Sequence, residues 1–309
     1  MSTEALPPVA VIILNWNGLA DTRACLQALR QSVYEPAWVL VFDNGSRDGS
    51  PEALRAEFPE VEVLTSPTNL GYAGGNNRGL QWAQERGAEL ALLLNNDTLP
   101  PPEMIGTMVA AYQAADRPGL LTVRERVPGA EQTRGDRLGA RWLPLSCRVQ
   151  WLFAPSADDP AGPVVEVDAV SGCALLVSAE VLNGVGLLDE MFFAYWEDTD
   201  WSLRARAAGY RNYCATAAHV VHLSGRSTGQ ERGPNLRQLY LVCRGQALIT
   251  RKQARGLGRV TAPARLLASG LLAIARGLLQ PGYRPTACAK VRGLRDGWRR
   301  RPPHDDYLR

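Results

Sequence analysis

The chain is short of several things, and each scarcity closes off a class of protein. Cysteine is sparse: six in 309 residues, with no close-spaced pair. That excludes zinc knuckles and thioredoxin-type redox motifs and fits reduced thiols in a cytoplasmic protein. Long apolar runs are lacking too. The longest charge-free one near the C-terminus is Leu266 to Ala275, whereas crossing a bilayer takes about 20 residues. No transmembrane helix is expected. The first residues carry Glu4 and two prolines and no basic segment ahead of an apolar one, so no signal peptide is expected. Lysine is reduced to Lys252 and Lys290, and histidine to His219, His222 and His304. The lysine scarcity carries no functional information. The three histidines leave few candidates for metal or acid–base work.

What is present is 46% hydrophobic residues and 21% charged. That suffices for a large core, as one large domain or two smaller ones. The net charge of +3 hides a split. Residues 1–250 hold 20 arginines against 28 acids, and residues 251–309 hold 14 basic residues against 3 aspartates. An acidic body with a basic tail argues against a nucleic-acid-coating protein. It leaves room for a tail that meets an anionic membrane leaflet.

Strand and helix signals alternate through the first hundred residues. Val9–Leu14, Trp38–Phe42, Val61–Leu64 and Leu90–Leu94 read as strands. Ala20–Arg30 and Gly74–Gly87 read as helices. This order predicts an α/β fold with a mostly parallel, doubly wound sheet that binds ligands at the C-terminal strand ends. Residues 118–163 read as strands and loops of a variable insert. From Asn235 the pattern turns helical. Leu257, Val260, Ala264, Leu267, Leu271, Ile274 and Leu278 form an apolar stripe opposite Arg255, Arg259, Arg265 and Arg276. Thr261 ahead of Pro263 reads as the cap of that helix. Its apolar face either packs on the body or lies on a membrane.

Polar clusters fall at the strand ends. Asp97 closes Asn95-Asn96-Asp97, where a carboxylate suits Mg²⁺ or Mn²⁺ with a diphosphate, or simply a loop. Asp43 ends the second strand, where an acid can bind a ribose or base, or shape a turn. The run Asn69 to Asn77 is glycine-rich, and its amides could hold a phosphate or a sugar hydroxyl. Glu197-Asp198-Thr199-Asp200 follows the aromatic run Phe192 to Trp196. These acids can cap a helix, or form a partly dry pocket whose carboxylate serves as a base. His222 sits at a strand end, before Ser224-Gly225.

Taken in order, Val11 to Gly18, Asp43 to Ser50, Asn69 to Asn77, Leu94 to Asp97 and Glu197 to Asp200 resemble the family 2 glycosyltransferases. Within them the series is most similar to the bacterial rhamnosyltransferase branch, over roughly residues 8–250. The resemblance implies a GT-A fold, a nucleotide-sugar donor (dTDP-rhamnose first), a divalent metal, Mg²⁺ or Mn²⁺, and inversion at the anomeric carbon. Asn15 and Trp16 would line the pyrimidine pocket and Asp43 would bond the base or ribose. Asn76 and Asn77 would help close the donor site. Asn17, Asn44, Gly74, Asn95 and Asn96 complete its donor side. Asp97 and His222 would hold the metal, and Asp198, beside Glu197, would be the general base. Asn95 and Asn96 stand where many members carry acids, and Gly245 follows Arg244 where Asn is common.

The implied organisation is a catalytic domain over residues 1–234 and a basic helical region over 235–309. The implied partners are a glycan or lipid-linked acceptor and, through the basic region, the inner face of the plasma membrane. The rivals are another donor sugar, a nucleotidyltransferase and an inactive sugar-binding module. The nucleotidyltransferase needs a basic glycine-rich signature that residues 15–19 lack, and the inactive module should lose the intact Glu197-Asp198 pair.

Overall fold

The computed structural model describes residues 7–128, 135–154, 163–223 and 235–307. The N-terminal half alternates β1 (Val9–Asn15), α1 (Leu19–Leu29), β2 (Trp38–Asp43), α2 (Ser50–Glu57), β3 (Glu62–Thr65), α3 (Gly71–Glu85) and β4 (Leu90–Asn95). β2 and β4 flank β1 in parallel, and β3 adds to β2 in parallel. These strands read as unbroken apolar runs because both faces are covered. Val9, Val11 and Ile13 enter one core with Cys25 and Leu26 of α1. Ala10 and Ile12 enter the other with Ala73 and Leu80 of α3.

α3 starts at Gly71, three residues earlier than the sequence pattern suggests, and so takes in the glycine run. A Cβ on Gly75 would overlap Leu14, and one on Gly79 would overlap Ile12. These glycines let α3 lie close on β1, and the run is a packing surface more than an open loop.

After β5 (Thr98–Leu99) and α4 (Met104–Ala114), residues 118–126 depart from the expected insert. They form β6 (Pro118–Arg126), inside the main sheet. Leu120, Leu121 and Val123 are buried, but the charged Arg124-Glu125-Arg126 end conceals the strand from a composition reading. Only β7 (Arg137–Leu143) and β8 (Arg148–Phe153) form a peripheral hairpin. β9 (Val164–Val167), β10 (Ala174–Ser178), α5 (Ala179–Val185), α6 (Glu197–Ala207) and β11 (Arg211–His222) follow. The sheet order is β3-β2-β1-β4-β10-β6-β11-β5, with β10 antiparallel to both neighbours. The result is a mixed sheet flanked by helices, with Asn15, Asp43 and Asn95 at one edge.

The C-terminal region is α7 (Leu236–Gln253), α8 (Gly258–Leu279) and α9 (Arg284–Trp298). The Asn235 side chain caps α7 by accepting from the Gln238 amide at 2.9 Å. Gly293 and Gly297 bring α9 against the backbone of Tyr240 and Arg244 in α7. Arg244 is wholly buried and donates to the carbonyls of Met191, Phe192 and Arg301. α7 is therefore bolted to the residues just ahead of the acidic pair.

α8 begins at Gly258, so Thr261 lies inside its first turns and is not its cap, and Pro263 is internal. The face it buries carries Gly258, Ala262, Leu266, Ala273 and Gly277. The expected apolar stripe faces away: Val260, Leu267, Leu271, Ile274 and Leu278 are all exposed. Small residues pack closely and leave the large ones outside, so the reading of the stripe as a core-facing surface does not hold. Over its 22 residues α8 is long and apolar enough, by length and composition, to cross a membrane.

Candidate active site

The loops after β1 and β2 are built around one carboxylate. Asp43 is buried, and it accepts from Asn15 Nδ2 at 2.7 Å and from the Ser46 amide at 2.9 Å. Asn15 also accepts from Thr22 Oγ1 at 2.8 Å. Asn15 thus fixes Asp43 at the strand end. Asn17 takes a positive φ of 49° and accepts from the Arg47 amide, tying the two loops together. Trp16 lies half-buried under the Arg237 guanidinium, 4.2 Å from ring centroid to Cζ. Asn44 donates to the Asn69 side chain and the Gly71 carbonyl and accepts from the Leu70 amide.

In α3, Asn76 donates to the Tyr72 carbonyl. Asn77 donates to the Leu188 carbonyl and to Glu190, and accepts from the Leu188 amide. Asn44 and Asn77 are buried with their amides satisfied by the protein, so they set loops in place and leave donor contact to neighbours. Gly74 sits against Leu70 and has Glu190 nearby. The Ala73 amide, one of those expected to be free for an anion, is taken by the Phe193 carbonyl at 3.1 Å. Tyr72, which no sequence motif singled out, reaches across to the Gly172 carbonyl at 2.6 Å.

At the end of β4, Asn96 turns toward α1 and donates to Thr22 Oγ1 at 3.0 Å. The Asn95 carbonyl accepts from Thr98 Oγ1 at 2.6 Å. Asp97 goes the other way: its Oδ1 lies 3.1 Å from His222 Nε2. Behind the imidazole, Nδ1 meets Glu125 Oε1 at 2.7 Å. Glu125 in turn accepts from Arg137 at 3.0 Å and Ser171 at 2.9 Å. Burial pulls the imidazole down, but the hydrogen bonds and charges of Asp97 and Glu125 outweigh it and push it up to about 9. Burial opposes ionisation of Glu125 too, yet His222 and Arg137 hold its carboxyl below the usual range.

This donor set fits a hard divalent ion. Two ligands about 2.1 Å from such an ion, at right angles, lie about 3 Å apart, which is the Asp97–His222 spacing. A carboxylate behind the other ring nitrogen is the usual support for a ligating histidine. Glu125, Cys173 and His222 also approach one another within 4.8 Å. Burial pushes the Cys173 thiol well above its ordinary pKa, which makes it a poor ligand, so Asp97 and His222 are the better pair. Sequence reading missed Glu125 because it lies between two arginines at the end of β6, with no motif around it. The Ser224-Gly225 context of His222 lies outside the described residues.

The acidic pair opens α6. Phe193, Tyr195 and Trp196 ahead of it take positive φ values of 65°, 69° and 78°, a strain concentrated next to the acidic pair. Gly245 of α7 makes room for that run: a Cβ there would come 2.6 Å from the Tyr195 carbonyl and 2.7 Å from Trp196. The glycine in place of the common Asn has a packing reason.

Asp198 accepts from the Thr199 amide at 2.6 Å and the Gly172 amide at 3.2 Å. Burial raises its pKa against those two bonds. Glu197 is buried, and its Oε2 has no hydrogen-bond partner among the described residues. Burial, then the Asp198 charge, push it well above the carboxylate range. Asp200, the third acid, is an ion-pair residue, held by Arg204 at 2.9 Å and Lys252 at 2.8 Å. The Gly172 amide donates to Asp198 at 3.2 Å and the next carbonyl, that of Cys173, accepts from the Asn95 amide at 2.9 Å, so the acidic pair and the Asp97 end of β4 lie together.

The chain is similar to known proteins in both sequence and fold. The model for "Glycosyl transferase family 2" matches residues 10–176. An N-acetylglucosaminyl-diphospho-decaprenol L-rhamnosyltransferase of Mycobacterium tuberculosis is 29% identical over 255 residues, covering 76% of this chain and 81% of that one. A low-salt glycan biosynthesis hexosyltransferase, Agl10, of Haloferax volcanii is 25% identical, covering 79% and 75%. Among solved structures, a Pyrobaculum calidifontis mannosyltransferase in complex with GDP-Man and Mn²⁺ superposes with TM-score 0.57 at 17% identity, covering 95% of this chain and 88% of that one. GalNAc-T7 with UDP, GalNAc and Mn²⁺ gives 0.58 at 14%; this chain spans about half of it, 48%, and 79% of this chain is covered. The structural likenesses show the GT-A fold.

Proposed function

The chain belongs to glycosyl transferase family 2 and is a glycosyltransferase, and on that premise we propose that it is an inverting, metal-assisted enzyme using a nucleotide-sugar donor. The first choice of donor is dTDP-L-rhamnose, by likeness to the rhamnosyltransferase relative. The acceptor is a hydroxyl of a cell-surface glycan or of a lipid-linked precursor. The observation that carries the reading is the 3.1 Å pairing of Asp97 with His222, with the buried Glu197-Asp198 pair tied to the same strand end through Gly172 and Cys173. Residues 1–234 form the catalytic domain in this reading, and 235–309 form a helical region that braces it.

On the donor side, Trp16 offers a flat apolar face to the base, and Asp43, fixed by Asn15, accepts from the base or ribose. Asp97 and His222 hold Mg²⁺ or Mn²⁺, which when bound neutralises the charge of the departing diphosphate. Asp198 does the proton work. The Thr199 and Gly172 amides aim its carboxylate, and burial raises its affinity for a proton. It takes the acceptor hydroxyl proton as the anomeric carbon passes through an oxocarbenium-like state. Attack on the face opposite the leaving diphosphate inverts the centre.

The exposed stripe of α8, beside a C-terminal segment with 14 basic residues against 3 acidic ones, supports peripheral contact with an anionic bilayer. Such contact would present a lipid-linked acceptor.

Thermal melts with dTDP-, UDP- and GDP-sugars, with and without Mn²⁺, test the donor assignment. A bound ligand raises the midpoint by mass action. The largest shift is expected from dTDP-rhamnose with Mn²⁺. A larger shift from a UDP- or GDP-sugar replaces the donor, and no shift from any of them contradicts the reading.

A further inference from the structure

The first turn of α7 carries a cation in an unusual setting. Arg237 is half-buried, with its guanidinium carbon over the Trp16 ring, 4.2 Å from the centroid. Among the described residues it makes no hydrogen bond or ion pair. Most of the other buried or half-buried basic groups near the site have an oxygen partner: Arg137 has Glu125, Lys252 has Asp189 and Asp200, and Arg244 has three carbonyls. The contact with Trp16 restrains the guanidinium, so less freedom is left to lose when an anion arrives.

Its surroundings locate that anion. Trp16 belongs to the loop after β1. Leu14 of β1 is in register with Asn95 of β4, so the loop that carries Trp16 and the loop that carries Asp97 leave neighbouring strand ends. Arg237, over Trp16, therefore stands beside both the proposed base pocket and the proposed metal site. The group that spans those two points in a nucleotide sugar is the diphosphate. The carboxylates of the site repel it, and His222 and Arg137 already pair with Glu125.

We propose that Arg237 is a donor-binding residue, its guanidinium held over Trp16 with its N–H donors left to pair with the diphosphate of the nucleotide sugar. This rests on the donor reading above. It also gives the helical region a direct part in the site, supplied by the first turn of α7.

The test is calorimetric titration of the full-length protein, with Mn²⁺ present, using dTDP, UDP and the matching nucleosides. Wild type, Arg237→Ala and Arg237→Lys are compared, with melting temperatures to verify folding. A charge-assisted pair to phosphate predicts a loss of about ten- to hundredfold in diphosphate affinity for Arg237→Ala. Nucleoside affinity should stay unchanged, and Arg237→Lys should recover part of the loss because it keeps the charge.

Unchanged diphosphate affinity in a folded Arg237→Ala, with or without a lower melting point, overturns the assignment and leaves a structural clasp on Trp16. An equal loss for nucleoside and diphosphate also overturns it, in favour of a base contact. Failure of the wild type to bind either diphosphate overturns the donor reading, and the Arg237 assignment with it.

Discussion

Glu125→Gln keeps the shape of the side chain and removes the charge behind His222. In the native site Glu125 Oε1 meets His222 Nδ1 at 2.7 Å while Oε2 accepts from Arg137 and Ser171. That arrangement keeps a proton on Nδ1 when Nε2 gives up its own proton to a metal. A glutamine cannot reproduce it. With its NH₂ toward the ring, Nδ1 must accept, the proton moves to Nε2, and the atom facing Asp97 can no longer ligate. With its oxygen toward the ring, the NH₂ faces the Arg137 cation. Loss of such a support behind a ligating histidine weakens metal binding by roughly ten- to hundredfold, about 1.4–2.8 kcal/mol. Titration of Mn²⁺ into protein saturated with dTDP reads this directly, with Asp97→Ala as the non-binding reference and circular dichroism to verify folding. Mn²⁺ affinity unchanged in a folded Glu125→Gln would refute the orienting role.

Three other consequences can be checked separately. Gly245→Ala drives a methyl toward the Tyr195 carbonyl and Trp196 and should destabilise the protein by about 1–3 kcal/mol in denaturant melts; an unchanged midpoint contradicts the packing role. Glu197 has its folded pKa raised, so the native state binds the extra proton and stability falls as pH climbs from the unfolded value through the folded one. Glu197→Gln should therefore stabilise the ligand-free protein more at pH 8 than at pH 5, and the opposite order in thermal melts rules this out. Leu267→Asp with Leu271→Asp on the α8 stripe should reduce cosedimentation with phosphatidylglycerol vesicles roughly a hundredfold, from about 3 kcal/mol of lost apolar burial, without lowering the melting temperature. Equal cosedimentation would exclude α8 as the contact.

The parallel half of the fold was legible in the residues because buried parallel strands carry an uninterrupted apolar pattern, as Val9 to Leu14 does. β6 was not, since its last three residues are charged: Glu125 meets His222, and Arg124 and Arg126 pair with Asp136. The strand-end acids stood out from position alone, and Asp97 and His222, 125 residues apart in sequence, do meet. One signal misled: the glycine run reads as an anion loop but lets α3 sit on β1. The α8 stripe left body and membrane open as its partner, and the helix buries its small residues instead. Glu125, Tyr72 and Arg237 had no local signal: each acts through a partner brought close only by the folded sheet and by α7.

The most direct test of the central claim is the transfer rate of Asp198→Asn. The substitution keeps the size of the side chain and removes its ability to take a proton. With the donor and acceptor that the wild type turns over, transfer should fall by about 10²- to 10⁴-fold, while Mn²⁺ and nucleoside diphosphate affinities and the melting temperature stay near wild type. A folded Asp198→Asn protein that transfers sugar at close to the wild-type rate would contradict the account.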